Sequence, residues 1–353
     1  IEIVAICDVD LKRTADARKK FPNARIYQDW RELLDKEAKN IDSVNVSTPD
    51  HMQAAIGVSA MQLGKHVYGQ KPLAHDLHEV RRMTELAAGK KLVTQMGIQC
   101  HSTAYYQIAA QVMRDGVVGK IREIHSWCAK SWGDMSVKPD TTDPLPEGFN
   151  WDQWLGVCAE RPFIGGGWYH PGNWRKRLDF GTGTFGDMGC HIYDPVLTAL
   201  ALTSPLSLRS EGPAPNAHSW AMDARIHYVF PGTEFSEGKT VSVFWYDGSA
   251  RPPEAVRPRC LRSSTTSAEM PSTFWLYRKT SKTAAAMYFG SAYWRVGRRG
   301  LIFGTCQLRD HGRFEFLISD RLHEGNVPVT LFASVMCVQC VLVFIRALGV
   351  NEC

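Results

Sequence analysis

The chain has 353 residues, of which 44% are hydrophobic and 22% charged, with a formal net charge of +5. That is the composition of a folded globular protein long enough for two domains, and it excludes a disordered or fibrous chain. Residues from Pro258 onward hold 12 Lys and Arg against 6 Asp and Glu, so the preceding body is close to neutral and shows no basic aromatic surface or motif for nucleic acid.

The first hundred residues alternate strands and helices. Ile1 to Cys7 is an apolar run with one charge, as expected of a buried parallel strand, and Asp10 to Lys20 reads as a helix. Ile41 to Val46 predicts a strand that ends in Ser47-Thr48-Pro49-Asp50-His51, followed by a helix from Met52 to Leu63. A short strand at His66 to Tyr68, a helix at Asp76 to Ala88 and a strand at Leu92 to Met96 complete the set. Such alternation implies a doubly wound parallel sheet, whose ligands sit beyond the carboxyl ends of the strands. Polar residues collect at those ends: Asp8, Thr48 to His51, Gln70 to Pro72, and Gly97 to His101 with Gln99. Asp8 occupies the position of an acidic residue that accepts hydrogen bonds from an adenosine ribose and repels a 2′-phosphate. It is equally well placed to cap the next helix. Thr48 and Pro49 fit a tight loop under a cofactor, and Thr-Pro is also ordinary turn chemistry.

Farther along, Lys120 to Trp132, Asp223 to Phe230 and Thr240 to Tyr246 are strand-like, whereas Asn150 to Asp179 is rich in Trp, Gly and Pro and reads as a long loop. Its Trp168, Tyr169 and Trp174 are suited to stacking on a sugar ring or to pinning the loop itself. From Phe180 to Asp194 a glycine-rich stretch leads into a predicted helix that carries Asp187 and His191. Their spacing of four places both on one face, where the carboxylate would fix the imidazole tautomer for proton transfer. On spacing alone, a solvated pair is the commoner outcome.

CDVD at Cys7 to Asp10, TPDH at Thr48 to His51, QKP at Gln70 to Pro72 and GDMGCH at Gly186 to His191 together resemble the Gfo/Idh/MocA oxidoreductases over about Ile1 to Arg257. The EKP signature of that family corresponds to Gln70-Lys71-Pro72, with Gln in place of Glu. The resemblance implies an NAD(P)-binding Rossmann domain over residues 1–100, then an α/β domain with an open, mostly antiparallel sheet over 101–257. It implies NAD rather than NADP, a carbohydrate or polyol substrate, and a homodimer or homotetramer. Lys71, Asp187 and His191 would carry catalysis. Asp8, Ser47, Thr48, Pro49, His51, Gln70, Lys71 and Gln99 would hold the cofactor, and Trp168, Tyr169 and Trp174 the substrate. A sugar dehydrogenase is the leading expectation; an NAD-dependent glycosidase of the same family and a catalytically silent sugar-binding protein are the alternatives.

Two departures stand out. The chain opens at Ile1 inside what would be the second Rossmann strand, without the glycine-rich turn and first strand, so a central slot in the sheet is expected to be vacant and the true start to lie upstream. From Pro258 the family pattern fades, as for a frame-shifted or divergent tail over 258–353. Within that tail, Thr330 to Val350 is long and apolar, but Gln339 and Arg346 interrupt it and argue against a membrane span. A lone CxxC at Cys337 and Cys340 is a poor metal or redox signal. Cys7, Cys100, Cys128, Cys158 and Cys190 read as reduced thiols, which fits a cytoplasmic protein without a metal.

Overall fold

The computed structural model describes residues 1–116 and 119–254, and beyond them the strands at 273–277, 286–287, 294–295 and 342–346. The N-terminal apolar run forms β1 (Glu2–Cys7), whose last four residues are buried. The helix expected over Asp10 to Lys20 is divided. A 3-10 turn (Leu11–Thr14) starts where the Asp10 side chain accepts from the Lys12 amide, and α1 (Ala15–Lys20) follows. The capping role considered for Asp8 thus falls to Asp10. Then come β2 (Arg25–Tyr27), α2 (Trp30–Glu37), β3 (Ser43–Val46) and α3 (Asp50–Gln62). They are followed by β4 (His66–Gln70), α4 (Leu77–Gly89) and β5 (Thr94–Gly97). Asp76 and Glu79 close a reciprocal capping box at the start of α4, which fixes that boundary.

The second domain contains α5 (Ala104–Arg114), β6 (Glu123–Cys128), α6 (Trp151–Leu155) and α7 (Gly183–Leu200). Strands β7 (Ser207–Ser210), β8 (Arg225–Pro231) and β9 (Thr240–Asp247) complete its described portion. With β10 (Thr273–Tyr277) they form a sheet in the order β10-β6-β9-β8-β7, in which only β6 and β9 run parallel. Helices α5 and α7 bury Ala109, Met113, Ile192 and Val196 against Ile124, Val243 and Trp245 of this sheet. A separate aromatic cluster holds the loop between β6 and α7 together: Phe149, Trp151, Trp154, Phe163, Tyr169, Trp174 and Phe180. Stacked and edge-on rings substitute there for regular secondary structure, at about 0.5–1.5 kcal/mol per pair beyond area burial.

Past the two-stranded β11 (Ala286–Met287) and β12 (Trp294–Arg295), β13 (Leu342–Arg346) enters the first sheet, whose order is β2-β1-β13-β3-β4-β5. All other neighbours in it are parallel, but β13 runs antiparallel to both β1 and β3. The expectation of a vacant slot is therefore corrected. Two rows of backbone donors and acceptors need partners, and a strand of either direction satisfies them. Of the apolar run Thr330 to Val350, residues 342–346 form this strand; the rest, with Cys337 and Cys340, lies outside the described residues. No described helix is long and apolar enough to cross a membrane. Cys7, Cys100, Cys128, Cys158 and Cys190 are all thiols, and burial pushes those of Cys158 and Cys190 up to about 11, which keeps them protonated.

Candidate functional site

Gln70 ends β4, and Lys71 directly after it reaches Asp187 on α7. Lys71 Nζ donates to Asp187 Oδ1 and to the Asp187 carbonyl, both at 2.6 Å. Gln70 Oε1 accepts from the Lys71 amide at 2.8 Å and so steadies the turn. The other carboxylate oxygen of Asp187 accepts from Trp132 Nε1 at 2.7 Å. Arg175 Nε lies 3.5 Å and Lys130 Nζ 3.8 Å from the same group. Burial pushes the Asp187 carboxyl up, but Lys71, with Arg175 and Lys130, more than offsets this and holds it below the usual range.

His191 stands one turn farther along α7 and is 8% exposed. The two oxygens of Asp187 are committed to Lys71 and Trp132, so the expected Asp187–His191 hydrogen bond is replaced by a Lys71–Asp187 ion pair. The i,i+4 spacing placed the residues correctly and misassigned the partner. His191 Nδ1 is buried and has no hydrogen-bond partner among the described residues. Burial, and next the Lys71 charge, lower its pKa to about 4 against a weaker upward pull from Asp187, so the ring is neutral near pH 7.

The glycines before α7 serve close approach of backbone. A Cβ on Gly181 would stand 2.5 Å from Arg175 Cα and 2.8 Å from the Trp174 carbonyl oxygen, so only glycine lets the loop bearing Arg175 pass. Asp50, at the start of α3, accepts from the Thr182 amide and hydroxyl at 3.1 and 2.7 Å, tying the two domains together beside the site. Burial raises its pKa to about 6.

A cavity opens between the carboxyl ends of β1 and β3 and the aromatic loop. Cys7, Asp8, Arg13, Trp30, Ser47, Thr48, Pro49 and Met52 line one side; Trp154, His170 and Trp174 line the other. Burial pushes the Asp8 carboxyl up to about 7, although its Oδ1 already accepts from the Asp10 amide at 2.9 Å. Thr48 Oγ1 and Arg13 Nε are buried without a hydrogen-bond partner among the described residues. Arg13 Nε is held instead by an ion pair with Asp10 at 3.4 Å, and a desolvated Asp8 acceptor beside the unpartnered Thr48 hydroxyl fits a polyhydroxyl or ribose-bearing ligand.

Several expected site residues lie elsewhere. His51 is 2% exposed, packs on Trp154 and Phe180, and donates from Nε2 to the Trp154 carbonyl, so it pins α3 to the aromatic cluster. Gln99 is exposed on the turn after β5. Tyr169 and Trp174 are 3% and 2% exposed within the aromatic cluster, and Trp168 carries the Arg177 guanidinium 3.4 Å from its ring centre. All three rings help to pin the loop, and Trp174 also reaches the cavity wall. Trp132, Lys130 and Arg175 were not legible as neighbours of Asp187, because nothing in their local sequence marks convergence on it.

Residues 1–98 match the family model described as "Oxidoreductase family, NAD-binding Rossmann fold", and residues 118–235 match its companion, "Oxidoreductase family, C-terminal alpha/beta domain". The chain belongs to the Gfo/Idh/MocA oxidoreductase family. Among curated Gfo/Idh/MocA relatives, the levoglucosan dehydrogenase of Pseudarthrobacter phenanthrenivorans is 23% identical over 190 residues, covering 54% of this chain and 40% of the relative. The inositol 2-dehydrogenase of Salmonella typhimurium is 26% identical over 128 residues, covering 35% of this chain and 37% of the relative. The chain thus spans about two fifths of the length of these relatives. A solved levoglucosan dehydrogenase in complex with NADH and levoglucosan shares the fold, with a TM-score of 0.52 and 18% identity over 94% of this chain and 76% of that one.

Proposed function

We propose that the chain is an NAD-dependent oxidoreductase that acts on a hydroxyl group of a sugar or polyol. The observation that carries the proposal is the Lys71 ammonium, fixed at 2.6 Å by Asp187 beside a neutral His191, where the Rossmann sheet meets the second domain. Residues 1–100 would serve the cofactor and 101–257 the substrate and assembly, where Leu206 and Leu208 stay exposed on and beside edge strand β7.

Bound NAD would supply the hydride acceptor. Asp8 would accept from the ribose hydroxyls and disfavour a 2′-phosphate, while Ser47, Thr48 and Pro49 would form the floor beneath. Lys71 would hold the substrate oxygen and stabilise the charge that grows on it as its proton leaves, a task suited to a compact cation of fixed orientation. His191, with its neutral ring, would accept that proton. Asp187 would act through Lys71, holding it in place.

The test is a panel of sugars and polyols with NAD. Net formation of NADH supports dehydrogenation, whereas glycoside cleavage without net NADH supports the glycosidase alternative. Failure to bind NADH by fluorescence titration would refute both.

A further inference from the structure

Three cations converge on one carboxylate, which hydrogen-bonds only one of them. Asp187 commits its oxygens to Lys71 at 2.6 Å and Trp132 at 2.7 Å. Arg175 and Lys130 stand at 3.5 and 3.8 Å, and neither side chain has a hydrogen-bond partner among the described residues. They come from unconnected segments, Lys130 from beyond β6 and Arg175 from the 3-10 turn Asn173–Lys176. Their side chains remain 53% and 30% exposed, so both stay open to a ligand. The Arg175 guanidinium lies 4.2 Å from the Trp174 ring centre and 5.5 Å from that of Trp132, which fixes the plane of its fork.

Asp50, 3% exposed and hydrogen-bonded to Thr182, also senses Arg175 and Lys71. With Asp50 ionised, Lys71, Lys130 and Arg175 against Asp187 and Asp50 leave one positive charge in surplus; with Asp50 protonated, they leave two. Stapling the domains needs no surplus, since the Lys71–Asp187 and Asp50–Thr182 contacts already do it, and unneutralised like charges at close range repel each other. A cleft of one sign with partly buried walls concentrates ligands of the opposite sign.

We propose that the substrate is an acidic sugar whose oxyanion, a carboxylate or a phosphate ester, is held by Lys130 and the Arg175 fork while Lys71 takes the reacting hydroxyl. The proposal rests on the dehydrogenase reading for the role of Lys71, but its charge preference is measurable without turnover. Arg175 supplies parallel N–H donors that match either oxyanion in a bidentate pair, and Lys130 adds a point charge.

The full chain is titrated calorimetrically with D-glucuronate, a hexose phosphate and D-glucose, at low and at high salt, as wild type and as Lys130→Gln. The Lys130 side chain is half exposed and makes no hydrogen bond among the described residues, and its backbone bond with the Gly248 amide survives the substitution. We expect at least one charged sugar to bind about tenfold or more tightly than D-glucose at low salt, with the margin shrinking in high salt and in Lys130→Gln. Preference for glucuronate identifies a carboxylate, and preference for the hexose phosphate a phosphate ester. Equal or weaker binding of both charged sugars, including no binding by any of the three, overturns the proposal, as does a preference that Lys130→Gln leaves intact. Charge-selective binding with no NADH formed from the preferred sugar removes the dehydrogenase reading and keeps the ligand class. NADH formed from D-glucose without charge preference does the reverse.

Discussion

Replacing His191 by Asn tests how the site holds its imidazole. His191 is 8% exposed, and burial, reinforced by Lys71, takes its pKa from 6.5 to about 4. In the unfolded chain it protonates near 6.5, in the folded chain only near 4. As pH falls through that interval, the unfolded state takes up the proton first and the folded state loses stability. A difference of about 2.5 units at about 1.36 kcal/mol per unit is about 3 kcal/mol, fully present as a penalty below pH 4 and absent above 6.5. His191→Asn removes this term, so the stability of wild type minus variant should fall by about 3 kcal/mol between neutral pH and pH 4. Asp8 and Asp50, whose raised pKa values act in the opposite direction, occur in both proteins and largely cancel in the difference. Urea unfolding across the pH series measures it, and the ring resonance lost from the variant spectrum identifies His191 for direct NMR titration. A pH-independent difference, or a ring that titrates near 6.5, would show that the imidazole is neither desolvated nor close to Lys71.

Lys71→Ala and His191→Ala should each lower turnover by roughly a hundredfold or more while NAD affinity stays within a few-fold, read by steady-state kinetics and NADH fluorescence; near-normal turnover would refute the assigned roles. Asp8→Ser should narrow or reverse a preference for NAD over NADP, measured as the ratio of dissociation constants; equal affinities in the wild type would count against the placement of Asp8. Gly181→Ala brings a Cβ to 2.5 Å from Arg175 Cα and should cost about 1–3 kcal/mol in unfolding free energy. An unchanged midpoint there would mean that the loop bearing Arg175 yields freely.

The strand-helix alternation was legible because β1, β3, β4, α3 and α4 each show an apolar run or a boundary residue such as Asp76. Strand β2 spans only Arg25–Tyr27, too short to display a period. Lys71, Asp187 and His191 were found because four short motifs stood in order, and the structure gathers the three at one place. What the spacing left open was partnership: Asp187 faces His191 along α7, yet a cation from 116 residues away makes the stronger claim on its carboxylate. The TPDH motif likewise marked the right loop but not the direction of its side chains. Asp50 turns toward Thr182, and His51 enters the aromatic cluster. Packing decides such matters, and packing is not local in sequence.

The domain contacts also explain why Lys71 is well oriented although it directly follows β4. Lys71 belongs to the first domain and its anchor Asp187 to the second, so the ammonium is held only while the two are docked. Docking is secured beside it by Asp50 on Thr182 and by the His51 amide and ring on the Phe180 and Trp154 carbonyls. These contacts begin at the N-terminus of α3, directly after the Ser47–Pro49 loop that lines the cavity. Any ligand that orders this loop therefore stiffens the seam that presents Lys71. Cavity and lysine are joined through one helix start, which gives the docked arrangement a physical basis for responding to a ligand in the cavity.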